Sequence, residues 1–234
     1  TELQGIIDNR GTLTFIPDTL NTVSGIDTAY QVFGNATLIG GGEVALQGSE
    51  TGFTSSGTLT NIDNTITGSG RFALSLVNQG IIRPGSTTGV PTGLISVNGS
   101  MEIAEQSVLE FDLGGLVPVS EYDVIRVLGD VELGGDLDVN VLLSFTAPFS
   151  PTDTFTILES YEISGQFENV ANGETLLTSD GRFQVQVNYG AGSTFNSRHV
   201  VLSNLMAVHM PEPSLFGLSC AIIPFASLRR KRRT

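Results

Sequence analysis

The sequence predicts an all-β protein with three parts. Residues 1–95 read as a right-handed parallel β-solenoid-like array, and 96–205 as a β-rich region with an antiparallel cap. Residues 206–234 read as a tail with a single transmembrane helix. Three observations carry this prediction. Two segments, Ile7–Leu13 and Leu76–Ile82, share an apolar-x-Asn-x-Gly-x-apolar pattern, and Leu13, Leu38, Leu59, Leu76 and Ile95 recur at intervals of 25, 21, 17 and 19 residues. Clean two-residue alternation then takes over. Finally, an apolar run from Leu215 to Leu228 is followed by five consecutive cations, Arg229, Arg230, Lys231, Arg232 and Arg233.

Irregular repeats near twenty residues suit the coils of a parallel β-solenoid, in which short strands stack at about 4.8 Å and neighbouring coils bury each other's apolar side. Leu, Ile and Val are expected inside. Gly11, Gly57 and Gly80 are expected to supply positive φ at turns. Asn9, Asn61, Asn78 and Asn98 suit the corners, and asparagines on adjacent coils would form a hydrogen-bonded ladder. The competing arrangement is a set of antiparallel hairpins with the same turn residues. The recurrence near twenty residues favours the solenoid, and the first residues read as mid-repeat, part of a longer chain.

From about residue 96 the alternation is regular. Val131–Leu133 and Leu137–Val141 place apolar residues on one face and acids on the other, and Gly134-Gly135 between them reads as a tight hairpin turn. Phe183–Tyr189 alternates over seven residues, and Thr154–Leu158 follows a loop bracketed by Pro148 and Pro151. Helical periodicity is absent from the body.

Composition narrows the function. The net charge is -13, and the tail holds five of the 11 cations, so residues 1–228 carry 6 Arg, no Lys and 24 acids, a net of -18. Such a body repels phosphate backbones and anionic lipid, which argues against a nucleic-acid partner. Cys220, the only cysteine, lies in the apolar run, so no disulfide forms within the chain.

The tail's parts come in a specific order: Pro211, Glu212, Pro213, then the apolar run, then the cations, then the end. Proline interrupts any helix, apolar residues favour lipid, and cations favour the cytoplasmic face. This order resembles the PEP-CTERM sorting signal of bacterial envelope proteins. The resemblance implies that Pro211, Glu212, Pro213 and Ser214 form the recognition segment for an exosortase-like processing enzyme. It implies that 215–228 is threaded into the inner membrane, with Arg229 to Arg233 as the cytoplasmic stop. Fourteen helical residues reach about 21 Å against a hydrocarbon core of about 30 Å, so snorkelling arginines and local thinning would cover the difference.

The later body has a likeness of its own. Tyr122–Val127 followed by Gly129–Leu137, then Thr154–Leu158 and Ile163–Phe167, resembles the end of secreted β-helical passengers, as in autotransporter-type adhesins and planctomycete surface repeat proteins. It implies a region that closes the solenoid and blocks edge-to-edge growth.

Catalytic constellations are scarce. His199 and His209 are the only imidazoles, no Gly-x-Ser-x-Gly elbow is present, and zinc ligation fails for lack of His and Cys. Asp130, Glu132, Asp136 and Asp138 are expected to gather on one face of the proposed hairpin, as a solvated face rather than an active pair or a calcium site. Polysaccharide lyase chemistry needs clustered acids beside Arg or Lys, and the solenoid part offers only Arg10, Arg71 and Arg83. The Thr-x-Thr triplets at 12–14, 58–60 and 65–67 lack the even spacing of an ice-binding face.

The expectation is therefore a non-enzymatic, exported cell-surface or extracellular-matrix protein without cofactor or metal, structural or adhesive, in contact with exopolysaccharide. The alternative is a carbohydrate-active β-helix whose active part lies in N-terminal sequence outside this chain. An acidic cluster with Arg or Lys on one solenoid face would favour that alternative.

Overall fold

Short runs of alternating apolar and polar residues form strands along the whole body, because alternation turns one side of each strand inward. The computed structural model describes residues 2–16, 28–86, 89–143, 145, 150 and 152–208. Among these residues the strands are β1 (Glu2–Asp8), β2 (Thr12–Phe15), β3 (Thr28–Ile39), β4 (Glu43–Asn61), β5 (Thr65–Asn78), β6 (Ile81–Pro84), β7 (Leu94–Val97), β8 (Met101–Ile103) and β9 (Val108–Leu113). They continue as β10 (Val124–Val127), β11 (Val131–Leu133), β12 (Asp136–Val141), β13 (Thr154–Glu159), β14 (Ile163–Gly165), β15 (Thr175–Leu177), β16 (Phe183–Asn188) and β17 (His199–Ala207). All 17 join one sheet, mostly parallel.

The chain visits three columns of parallel strands in turn. The first column stacks β2, the start of β4, the start of β5, β6, β9 and β12. The second stacks the start of β3, the middles of β4 and β5, β7, β10 and β13. The third stacks β1, the ends of β3, β4 and β5, then β8, β11 and β14. The parallel ladders run through residue 95 without a break, since β7 pairs with both β5 and β10.

Each column contributes an inward file. Val44, Ile66, Ile82, Leu109 and Leu137 line the first, Phe53, Phe72, Val97 and Val127 the second, and Ala36, Leu59, Leu76, Met101, Val131 and Ile163 the third. All of these are buried, so the three files meet in one core.

Asparagine closes the corner between the third and first columns. Asn61 and Asn78 are in register, and the Asn61 amide donates to Asn78 Oδ1 at 2.8 Å. Asn61 also donates to the Asn64 carbonyl at 2.8 Å, and Asn78 to the Gly80 carbonyl at 2.9 Å. Asn9 reaches Asn64 Oδ1 at 3.0 Å. Asn61, Asn64 and Asn78 are fully buried, so these bonds satisfy amides that water cannot reach. The expected ladder therefore exists for Asn61 and Asn78. Asn98 stands at another corner, its N–H on the Phe72 carbonyl at 2.8 Å.

Two expectations need correction. Gly134-Gly135 is not a hairpin turn: β11 pairs in parallel with β8 and β14, and β12 with β9. Alternation misled because a coiled parallel sheet has one face in the core and the other in water, the pattern ordinarily read as antiparallel. Gly11, Gly57 and Gly80 do not adopt positive φ. At Gly57 and Gly80 the requirement is steric: a Cβ would overlap the carbonyl oxygens of Gly34 and Asn64.

Antiparallel pairing appears at the C-terminal end. β17 runs along β13, with Phe155 opposite Leu202, and β16 and β15 follow it outward. The outer edge of β12 is closed by single groups. Asn169 Oδ1 accepts the Leu137 N–H at 3.0 Å, and its Nδ2 donates to the Leu137 carbonyl at 2.8 Å. The Ser179 N–H donates to the Val139 carbonyl at 2.9 Å, and Arg182 Nη2 to the Val141 carbonyl at 2.8 Å. Among the described residues, β1 and β2 have no strand on their outer edges. Asn169→Ala should cost about 1–3 kcal/mol in chemical denaturation, since it leaves both Leu137 backbone groups unpaired, and should raise self-association in light scattering. Wild-type values for both would mean that this edge needs no cover.

The proposed transmembrane span, 215–228, lies outside the described residues. Among those described, no helix is long and apolar enough to cross a membrane.

Candidate functional site

In the first column the outward positions of consecutive coils bring unlike side chains together. Arg83 of β6 neighbours Glu110 of β9, which neighbours Asp138 of β12; Asp112 neighbours Asn140. Arg83 forms an ion pair with Glu110. Asn140 donates to Asp112 Oδ1 at 2.7 Å, and the Ser179 hydroxyl donates to Asp138. With Phe111 these groups line a groove of about 290 Å³.

Bonded to the backbone of Asp112 is a fully buried carboxyl, Asp123, just before β10. Its Oδ1 accepts the Gly93 N–H and its Oδ2 the Asp112 N–H, each at 2.8 Å. Burial pushes this carboxyl up to about 8, with the neighbouring Asp112 adding to the rise; the two N–H donors and Arg83 oppose it. Burial also raises Asp112, against the Asn140 bond and the Arg83 charge, while Asp138 adds to the rise.

Every acid named in the groove has a partner, so the arrangement ties coils together more readily than it activates a nucleophile or a water. Among the described residues no group of three or more His, Cys, Asp or Glu is placed to hold a metal ion. The arginines of the body are engaged as well. Arg10 pairs with Asp8 at 2.9 Å and Arg126 with Glu159 at 2.7 Å. Arg182 pairs with Asp180, Arg198 lies 5.1 Å from the Tyr161 ring centre, and Arg71 also has a partner.

The acid quartet read from the sequence is not one cluster. Asp136 and Asp138 stand on the first column, Glu132 on the third beside Glu102, and Asp130 at the bend before β11. The quartet depended on a hairpin that does not form. Glu110, Asp112, Asp123 and Ser179 were missed, because coils of unequal length hide which acids become neighbours. His199 sits on β17 opposite Glu159, with Asn196 Nδ2 3.4 Å from its ring nitrogen. The sorting residues Pro211, Glu212, Pro213 and Ser214, the stop residues Arg229 to Arg233, His209 and Cys220 lie outside the described residues.

No protein-family model, no curated protein and no solved structure matches this chain.

Proposed function

We propose that this chain is the body and sorting tail of an exported cell-surface or extracellular-matrix protein, structural or adhesive rather than enzymatic. In this reading the three columns form a right-handed parallel β-solenoid with an antiparallel cap. Residues 206–234 form a PEP-CTERM-type signal, held in the inner membrane by 215–228 and read by an exosortase-like enzyme at Pro211–Ser214. The body then reaches the surface or the matrix, where its polar faces contact exopolysaccharide through many weak interactions. The observation that supports the structural role best is the pairing of charged side chains across coils, Arg83–Glu110 and Arg126–Glu159, which spends chemistry on stacking.

The tail is tested by Pro211→Ala with Pro213→Ala. The changed protein is expected to keep its membrane span and accumulate in the membrane fraction; processing at the normal rate would refute the sorting role. A second reading, a carbohydrate-active β-helix, is favoured by one observation: Arg83 stands among Glu110, Asp112 and Asp138 on one column. Incubation of the purified body with a polysaccharide panel separates the two. Binding without new reducing or unsaturated ends supports the structural reading, and release of such ends removes it.

A further inference from the structure

At the corner between the first and second columns, successive passes of the chain meet at main-chain distance. Leu46 of β4 neighbours Gly68 of β5, Gln47 neighbours Ser69, and Gly68 is bridged to Gly85, just after β6. A Cβ at Gly68 would overlap the Leu46 carbonyl oxygen, and one at Gly85 the Pro91 carbonyl oxygen. The wall here is therefore main chain rather than side chain. A groove of about 440 Å³ lies against it, a volume in the range of small-molecule sites.

Two features set this groove apart. Four other grooves on the body are lined by acids, arginine or both. Among the described residues no charged side chain lines this one: its polar side chains are Gln47, Ser69, Ser86 and Thr92, and Leu46 and Val90 add apolar surface. The second feature is Thr92. It is 4% exposed, and its Oγ1 is the one buried side-chain polar atom among the described residues without a hydrogen-bond partner. An unpaired buried hydroxyl costs stability, and a partner supplied from the groove removes that cost.

We propose that this groove binds a segment of neutral saccharide, anchored by the Thr92 hydroxyl. The proposal deepens the surface reading above and rests on it, since it names one of the polysaccharide contacts. The lining selects the class of ligand. Without charge it offers no counter-ion to a phosphate, a carboxylate or an amine, and without an aromatic ring it offers no platform to a nucleobase. Sugar hydroxyls both donate and accept, and so do the groups here. Ser69 Oγ accepts the Leu94 N–H at 3.2 Å and keeps its own proton to donate. The Gln47 amide, exposed and in register with Ser69, offers a carbonyl oxygen and two N–H donors. Thr92 turns about χ1 between staggered positions to bring its hydroxyl to the ligand, and the C–H faces of the sugar lie on Leu46 and Val90. One such site binds weakly, and repeated units along a polymer offset that weakness.

Saturation-transfer difference NMR on the full-length chain tests the site. The probes are neutral hexasaccharides of β-1,4-glucan, α-1,4-glucan, β-1,3-glucan and β-1,4-mannan, with a hexauronate as the charged comparison. At least one neutral probe should bind saturably, and the hexauronate should not displace it. Thr92→Val should weaken that binding about tenfold while its thermal midpoint stays at or above that of the wild type. Gln47→Ala, at an exposed position, should weaken it about threefold and keeps the test valid if Thr92→Val fails to fold. Gln166→Ala, on a groove of the third column, should change nothing. Neutral binding that neither Thr92→Val nor Gln47→Ala weakens, or that Gln166→Ala weakens equally, overturns the site and leaves polysaccharide contact to another face. Binding of the hexauronate alone does the same. Failure of every probe to bind overturns the site and removes polysaccharide contact from the surface reading as well.

Discussion

Phe53→Ala is expected to destabilise the body by roughly 3–5 kcal/mol, the usual cost of removing a fully packed ring from a core. Phe53 is 1% exposed. Its ring centre lies 4.9 Å from Phe15 and 5.4 Å from Phe72, so one side chain joins three successive passes of the chain. Truncation opens a cavity that backbone stacking cannot collapse, because the coil spacing is set by hydrogen bonds. Equilibrium unfolding in guanidinium, followed by far-ultraviolet circular dichroism, measures the loss. Phe195→Ala, at a ring 41% exposed, is the control and should move the midpoint little. Equal shifts for the two would mean that the aromatic stack does not organise the core.

The second large effect is expected at Gly68. Its φ is +92°, and a Cβ there would overlap the Leu46 carbonyl oxygen of the preceding coil. Gly68 also exchanges two backbone hydrogen bonds with Gly85, at 2.6 and 2.9 Å. Gly68→Ala thus combines a backbone penalty of about 1–3 kcal/mol with a collision between main chains that no rotamer relieves. Gly41, at φ +69° with nothing within 4 Å of its would-be Cβ, carries the backbone penalty alone. Soluble yield and thermal midpoint should therefore drop far more for Gly68→Ala than for Gly41→Ala. Similar losses would show that the close approach at this corner is unimportant.

Much of the strand content was legible in the sequence, because alternation is local. Val131–Leu133, Thr154–Leu158 and Phe183–Asn188 fall on β11, β13 and β16. The register was not legible. Of Leu13, Leu38, Leu59, Leu76 and Ile95, only Leu59 and Leu76 are partners; Leu13 neighbours Val44, Leu38 neighbours Asn61, and Ile95 neighbours Gly70. Corners of unequal length absorb the difference, so one apparent period mixed three columns. The asparagine ladder was partly visible because the Asn61–Asn78 corner is short. The groove was not, because its members lie 28 residues apart, as Asp112 and Asn140 do, and neither belongs to a motif. Asp123 carried no signal in the chain at all: the groups that hold it, Gly93 and Asp112, lie 30 and 11 residues away.

The unequal ends of the sheet have a mechanical consequence. Asn169, Ser179, Arg182 and β17 seal one end, whereas β1 and β2 present bare margins among the described residues. Each turn of the stack is gripped only by the turns beside it, so tension along the long axis would part the turns singly rather than all at once. A pulling trace would then climb through small, graded steps, and the molecule would yield by paying out length rather than by breaking at once.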